Sequence, residues 1–142
     1  MDLLLICSTA SAASLAANLL WATEARKAGM NPAVMFTAEA LAALGDGTFV
    51  WPRGLSHQGA RLTIADSAKR QGLPIMLRGE ARQLDFHSLF ARAQEEGVPM
   101  YADPVWTELL ALSGRLPVGV EEIDASKGLR ILSEARTIIG GL

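Results

Sequence analysis

The sequence predicts an α/β fold, a three-layer α/β/α sandwich built on a mostly parallel sheet of about five strands. The apolar run Leu3–Cys7 is continuous rather than alternating, which is typical of a strand buried on both faces. The segment that follows, 11–28, is rich in Ala and Leu at helical spacing. The same order of apolar run and helical segment then recurs along the chain, as expected for βα units on a parallel sheet.

The further elements are predicted from local signals. Thr37 is placed to cap the second helix, and Pro74 indicates that the third strand is weak or lies at an edge. Segment 46–60 is rich in Gly and Pro and is expected to be irregular. The length suits one core, so we assign a single domain over 1–142. The expected strands are 3–7, 33–36, 73–77, 98–102 and 137–139, and the expected helices are 11–28, 37–44, 62–71, 84–96, 104–112 and 125–135.

Composition excludes several classes of function. The 142 residues carry a formal net charge of -2 and no Lys/Arg cluster, so we expect no nucleic-acid or membrane partner. A single cysteine, Cys7, excludes an internal disulfide and a cysteine-built zinc site, and it is compatible with the cytosol. The N-terminal apolar run is shorter than the ~7–15 residues of a secretion signal and follows no basic segment. We therefore expect a cytoplasmic protein.

The sequence gives no positive signal for a cofactor or a metal. It contains no GxGxxG, P-loop or GxSxG motif, so neither a dinucleotide site nor a hydrolase elbow is indicated. Neither His57 nor His87 has a second ligand at metal-binding spacing. We expect no cofactor and no metal. Arg53 and His57 remain a hypothesis for the lining of a small-molecule pocket, and the alternative is a mobile polar loop.

Candidate site residues follow from a general rule for open parallel sheets, in which ligands bind outside the carboxyl ends of the strands. The rule selects the residues that end the predicted strands or follow them. They supply a thiol, hydroxyl groups, two acids and one base, and they are Cys7, Ser8, Thr9, Thr37, Glu39, Arg78 and Asp103.

Each of these residues also has a purely structural interpretation. Cys7 is explained as a small apolar core residue, or as a thiolate favoured by the start of the following helix. Ser8, Thr9 and Thr37 suit helix caps, Glu39 suits a first helical turn, and Arg78 suits a solvated charge. Asp103 followed by Pro104 is a strong helix-start signature, in which the carboxylate caps the helix and contributes about 1 kcal/mol.

Several stretches together resemble one known family. GMNPAVMFTAEAL resembles the second-strand region of the DsrE/DsrF-like (DsrEFH) sulfur-relay proteins, in which a helix ends in Gly before a strand ending Phe-Thr. LFARAQEEGVPMYAD resembles the family's helix–Gly–Val–strand segment. The helix WTELLAL and the turn LPVGVEE that follow fit the same pattern. The likeness covers most of the chain and is weakest over 46–60.

The resemblance implies an α/β/α fold and homo- or hetero-oligomers, often trimers or hexamers. In some members it also implies a persulfide carried on a cysteine after the fourth strand. Asp103 occupies that position here, and a carboxylate cannot carry a persulfide because the sulfur must attach to a thiolate. The chain is thus identified as a divergent DsrE-like member that lacks the usual cysteine.

Two main hypotheses remain open from the sequence. The first is a non-catalytic, oligomeric accessory or binding subunit in sulfur-related metabolism, which binds itself and a sulfur-relay protein. The second is a sulfur carrier or sulfurtransferase that uses Cys7 as its persulfide-bearing thiolate. A third, small-molecule binding in the strand-end crevice, would draw on Cys7, Ser8, Thr9, Glu39, Arg78 and Asp103.

Overall fold

The structure is a computed structural model that describes residues 1–78 and 81–142, with the side chains of 78 and 81 outside the description. Most strands are followed by a helix, as the sequence predicts, but α2 and α3 follow each other, and so do β3 and β4. The strands are β1 (Leu3–Cys7), β2 (Pro32–Phe36), β3 (Ile75–Arg78), β4 (Ala81–Leu84), β5 (Met100–Ala102), β6 (Glu121–Glu122) and β7 (Thr137–Gly140). The helices are α1 (Ala12–Lys27), α2 (Ala38–Asp46), α3 (Gln58–Arg70), α4 (Phe86–Glu95), α5 (Pro104–Leu109) and α6 (Ala125–Glu134).

Five strands form one parallel sheet in the order β6-β5-β2-β1-β7. β1 is an inner strand that pairs with β2 on one edge and with β7 on the other. Its apolar side chains contribute to a cluster on each face of the sheet. This confirms the predicted fold class. The unbroken run from Leu3 to Cys7 is explained by two neighbouring strands and a helical layer on each face.

The sheet separates two apolar clusters. Leu3, Leu5 and Cys7 face the larger cluster, to which α1, α2, α3 and α4 contribute buried side chains. Leu4 faces a smaller cluster that contains Ile131 of α6. One face of the sheet is therefore covered by several helices and the other mainly by α6, which gives the three layers.

The predicted third strand is not part of this sheet. β3 pairs antiparallel with β4 in a separate two-stranded sheet, which packs against α3. An ion pair connects β4 to α3, with Arg82 Nε 3.1 Å from Asp66 Oδ1. The fifth strand of the parallel sheet is instead β6, which lies outside the strands expected from the sequence.

The irregular segment after α2 is shorter than expected and is attached to the main body. Val50 forms a parallel bridge with Ser11, and its carbonyl accepts a hydrogen bond from Ala12 N at 2.8 Å. A short 3-10 turn follows at Arg53–Leu55, and α3 begins at Gln58. Within the described residues, every helix is too short or too polar to span a bilayer.

Candidate functional site

The carboxyl ends of β1, β2 and β5 lie side by side and bring several predicted residues together. Thr37 N donates to the carbonyl of Cys7 at 3.0 Å, and Ala40 N donates to the carbonyl of Ser8 at 3.2 Å. These bonds join the end of β1 to the beginning of α2. Asp103 follows β5 on the other side of β2, and its N–H donates to the carbonyl of Phe36 at 2.9 Å.

Asp103 makes three side-chain hydrogen bonds at this edge. Its Oδ1 accepts from Val105 N at 2.8 Å and from Trp106 N at 3.5 Å, which caps α5. Its Oδ2 accepts from the Thr37 hydroxyl at 2.5 Å. The carboxylate therefore performs the capping role that the Asp-Pro sequence predicts, and it also ties the end of β5 to the end of β2.

Cys7 lies in the interior of the larger apolar cluster. Its side chain is 0% exposed, and its Sγ is 4.0 Å from the Ser14 hydroxyl. Burial raises the pKa of the thiol to about 11, although the contact with Ser14 acts in the opposite direction. At neutral pH the sulfur is a protonated thiol, which is a poor nucleophile.

The other predicted residues of this edge are more accessible. Ser8 is half-buried, whereas Thr9 and Glu39 are exposed, with Glu39 in the first turn of α2. Ala38, the residue before Glu39, has an unusual backbone conformation with a φ of 50°. That left-handed conformation is costly for a residue with a Cβ.

One predicted placement differs from the structure. Arg78 ends β3, which lies outside the parallel sheet, so the premise that placed it at the carboxyl edge is wrong; its side chain lies outside the described part of the chain. The hypothesis that Arg53 and His57 line a small-molecule pocket stays a prediction, and both side chains are exposed. His57 is the N-cap of α3, where its Nδ1 accepts from Ala60 N at 3.2 Å.

A groove beside Asp103 was not predicted. It has a volume of about 340 Å³ and runs between α5 and α6, where Gly128 allows α6 to approach Pro104 closely. We call it the α5–α6 groove. It is lined by mostly apolar residues: Met35, Asp103, Pro104, Val105, Ala125, Gly128, Leu129 and Leu132.

The rims of the α5–α6 groove expose large apolar side chains. Val105 on α5 is 59% exposed, and Leu129 on α6 is 69% exposed. Leu129 and Leu132, three residues apart in the helix expected over 125–135, are a sequence signal that could have indicated this surface. In the part of the chain that the structure describes, no three His, Cys, Asp or Glu side chains converge to hold a metal ion.

Comparison with known proteins supports the fold. No family model matches the chain, and no curated protein matches it by sequence. Among solved structures, the chain is similar to the ychN protein from E. coli, with a TM-score of 0.60 and 14% sequence identity over 99% of each chain. That protein has a DsrE-like fold. The likeness therefore agrees with the fold that the sequence resemblance implies.

Proposed function

We propose that this protein is a non-catalytic, self-associating accessory or binding subunit of DsrE-like fold, acting in sulfur-related metabolism in the cytoplasm. One observation carries the proposal. Asp103, at the position where the resembling family carries its reactive cysteine, is engaged by Thr37 and by the first turn of α5. The chain's single cysteine, Cys7, is fully buried elsewhere.

Sulfur transfer requires an accessible thiolate that can attack a sulfur donor and carry the resulting persulfide. Cys7 meets neither requirement in the folded state, because it is enclosed by apolar side chains and its pKa is raised to about 11. The alternative, a carrier based on Cys7, would need the first strand to open before each transfer. We therefore favour a role in which the chain binds a sulfur-carrying partner and does not itself carry sulfur.

Self-association is supported by the apolar rims of the α5–α6 groove. Solvent-exposed apolar patches of this kind are more common at subunit interfaces than on monomer surfaces. Val105 from α5 and Leu129 and Leu132 from α6 are exposed in the groove lining, so two copies related by a two-fold axis can each cover the other's groove. We assign this groove to contact with a second copy of the chain.

Two measurements test the proposal. Intact-mass analysis after incubation with inorganic polysulfide is expected to show no reducible sulfur adduct on the native protein. An adduct that disappears in Cys7→Ala would overturn the non-catalytic assignment. Light scattering during size-exclusion chromatography is expected to show an oligomer.

Substitution at the groove rim tests which surface forms the oligomer. Leu129→Glu is expected to reduce the mass, because it places a charge in an apolar contact. The matched control is Val118→Glu, an equally drastic change at a side chain that is 93% exposed and outside the groove. A wild-type monomer at high concentration, or equal effects of both variants, would contradict the assignment of the groove.

A further inference from the structure

A second cavity, on the opposite side of the sheet from the α5–α6 groove, lies among α1, the end of α2 and the beginning of α4. Its volume is about 200 Å³. We call it the aromatic pocket. Its principal lining residues are Leu15, Leu44, Phe49, Phe86, His87 and Phe90.

The walls of the aromatic pocket are held in place by packing. Phe49 and Phe86 meet edge to face, with ring centroids 6.2 Å apart and planes at 62°. Phe90 packs on the fully buried Phe36 with a centroid distance of 6.2 Å. Leu15, which is 2% exposed, lies in the same buried cluster. The cavity is therefore formed by side chains that already have fixed neighbours.

The pocket leaves aromatic surface uncovered. Phe49, Phe86 and Phe90 are each half-buried, although rings of this size in a core are normally enclosed. An apolar cavity of about 150 Å³ is sufficient to bind benzene. A cavity of about 200 Å³ therefore has room for one six-membered ring with one small substituent. It is too small for a dinucleotide or for a peptide side chain with its backbone.

His87 determines which substituent suits the pocket. It lies on the exposed side of the lining and stacks against Phe86 with a centroid distance of 4.8 Å. Its imidazole can donate or accept one hydrogen bond. Burial tends to raise the pKa of the nearby Asp85 carboxyl, but hydrogen bonds from Ser88 and the charge of His87 together outweigh it, so the pKa is lowered and Asp85 carries a negative charge near His87. That negative charge disfavours an anionic ligand.

We propose that the aromatic pocket binds a neutral, monocyclic phenol, with the ring packed against the exposed surfaces of Phe49, Phe86 and Phe90 and the hydroxyl group hydrogen-bonded to His87. The ring covers the exposed aromatic surface, and the hydroxyl remains at the polar mouth. This site is separate from the α5–α6 groove and does not depend on self-association or on sulfur chemistry.

The test is titration of the full chain with phenol, benzene and benzoate, followed by NMR chemical shifts and calorimetry. Phenol is expected to bind at least about tenfold more tightly than benzoate, because the carboxylate of benzoate at the pocket mouth would be repelled by the negative charge of Asp85 near His87. His87→Phe is expected to weaken the binding of phenol about tenfold, which is the equivalent of one hydrogen bond, and to leave the affinity for benzene unchanged. Because His87 is exposed, this variant is expected to fold.

A second variant fills the cavity. Leu44→Trp is expected to abolish binding of both phenol and benzene, whereas Leu110→Trp, a matched change at a half-buried leucine outside the pocket, is expected to bind as the wild type does. The proposal is overturned if phenol does not bind at millimolar concentration. It is also overturned if benzoate binds equally well, or if Leu44→Trp folds and retains wild-type affinity.

Discussion

The hydroxyl of Thr37 donates a hydrogen bond of 2.5 Å to the carboxylate of Asp103, joining the ends of two neighbouring strands that are distant in sequence. The same carboxylate caps α5 through Val105 N. One side chain thus fixes both the beginning of a helix and the meeting point of β2 and β5. Removal of the Asp103 side chain should therefore lower the free energy of unfolding, even if Asp103 has no chemical role.

Asp103→Ala is expected to lower the free energy of unfolding by about 2 kcal/mol, because a helix cap and a charge-assisted hydrogen bond are lost together. Asp103→Asn keeps an oxygen for the cap and should lose less than half of that. Thr37→Val should cost about 1 kcal/mol, and in a double-mutant cycle its effect should shrink when Asp103 is already alanine. Urea unfolding of the wild type, the three single variants and the double variant measures these effects; strictly additive effects in the cycle would show that the two side chains are not coupled.

Asp103→Cys is expected to place a reactive thiol at the strand end, because position 103 is half-buried and lines the α5–α6 groove. In the native variant, one thiol should react rapidly with a chromogenic disulfide reagent, and a second only after denaturation. The wild type is the internal reference, since its buried Cys7 should react only when unfolded. Rapid labelling of native wild type would contradict the burial of Cys7.

Cys7 should also make stability dependent on alkaline pH. Its folded pKa of about 11 lies above the reference value of 9.0, so between these values the unfolded chain loses the thiol proton while the folded chain keeps it. Stability contributed by the neutral thiol is therefore complete below about pH 9 and falls as the pH rises towards 11.

The wild type is expected to lose about 1.4 kcal/mol by pH 10 relative to Cys7→Ala, whose stability lacks this contribution. The comparison removes the effects of lysine and tyrosine titration, which both proteins share. Denaturant unfolding at several pH values between 8 and 10 measures the difference. A pH-independent difference would show that the thiol ionises equally in both states.

Ala38→Gly is expected to stabilise the protein by about 0.5–1 kcal/mol. Its φ of 50° is unfavourable for alanine by about 1–2 kcal/mol, which exceeds the entropic cost of glycine. Ala42→Gly, in the interior of the same helix, is the control and should be destabilising by about 1 kcal/mol. Thermal unfolding of both variants tests the contrast, and destabilisation by both would mean that the left-handed conformation at Ala38 carries no strain.

Much of the fold could be predicted from local sequence. The apolar run Leu3–Cys7 indicated a doubly buried strand, and Asp103-Pro104 indicated a capped helix, because both signals depend only on neighbouring residues. Periodicity could not distinguish the antiparallel pair of β3 and β4 from the predicted arrangement, which was a strand of the main sheet followed by a helix. Each of its strands has only four residues, and Pro74 was the one warning against placing 73–77 in the main sheet.

The site was only partly predictable because its contacts are formed between distant segments. The carboxyl-edge rule selected Thr37 and Asp103, but their hydrogen bond depends on β2 and β5 being neighbours, which no local pattern specifies. The same limitation applies to the aromatic pocket. Phe49 and Phe86 belong to a loop and a helix whose meeting depends on the whole α1-α2-α4 layer.

The strand order has a consequence for how the chain reaches its native state. β1 and β2 are linked through α1 alone, so their pairing closes a short loop and can form early. β2 and β5 are separated by residues 37–99, and β1 and β7 by nearly the whole chain, so these pairings close long loops. Folding should therefore begin at the β1–α1–β2 unit, and the β2–β5 and β1–β7 pairings should be the last to gain protection from hydrogen exchange.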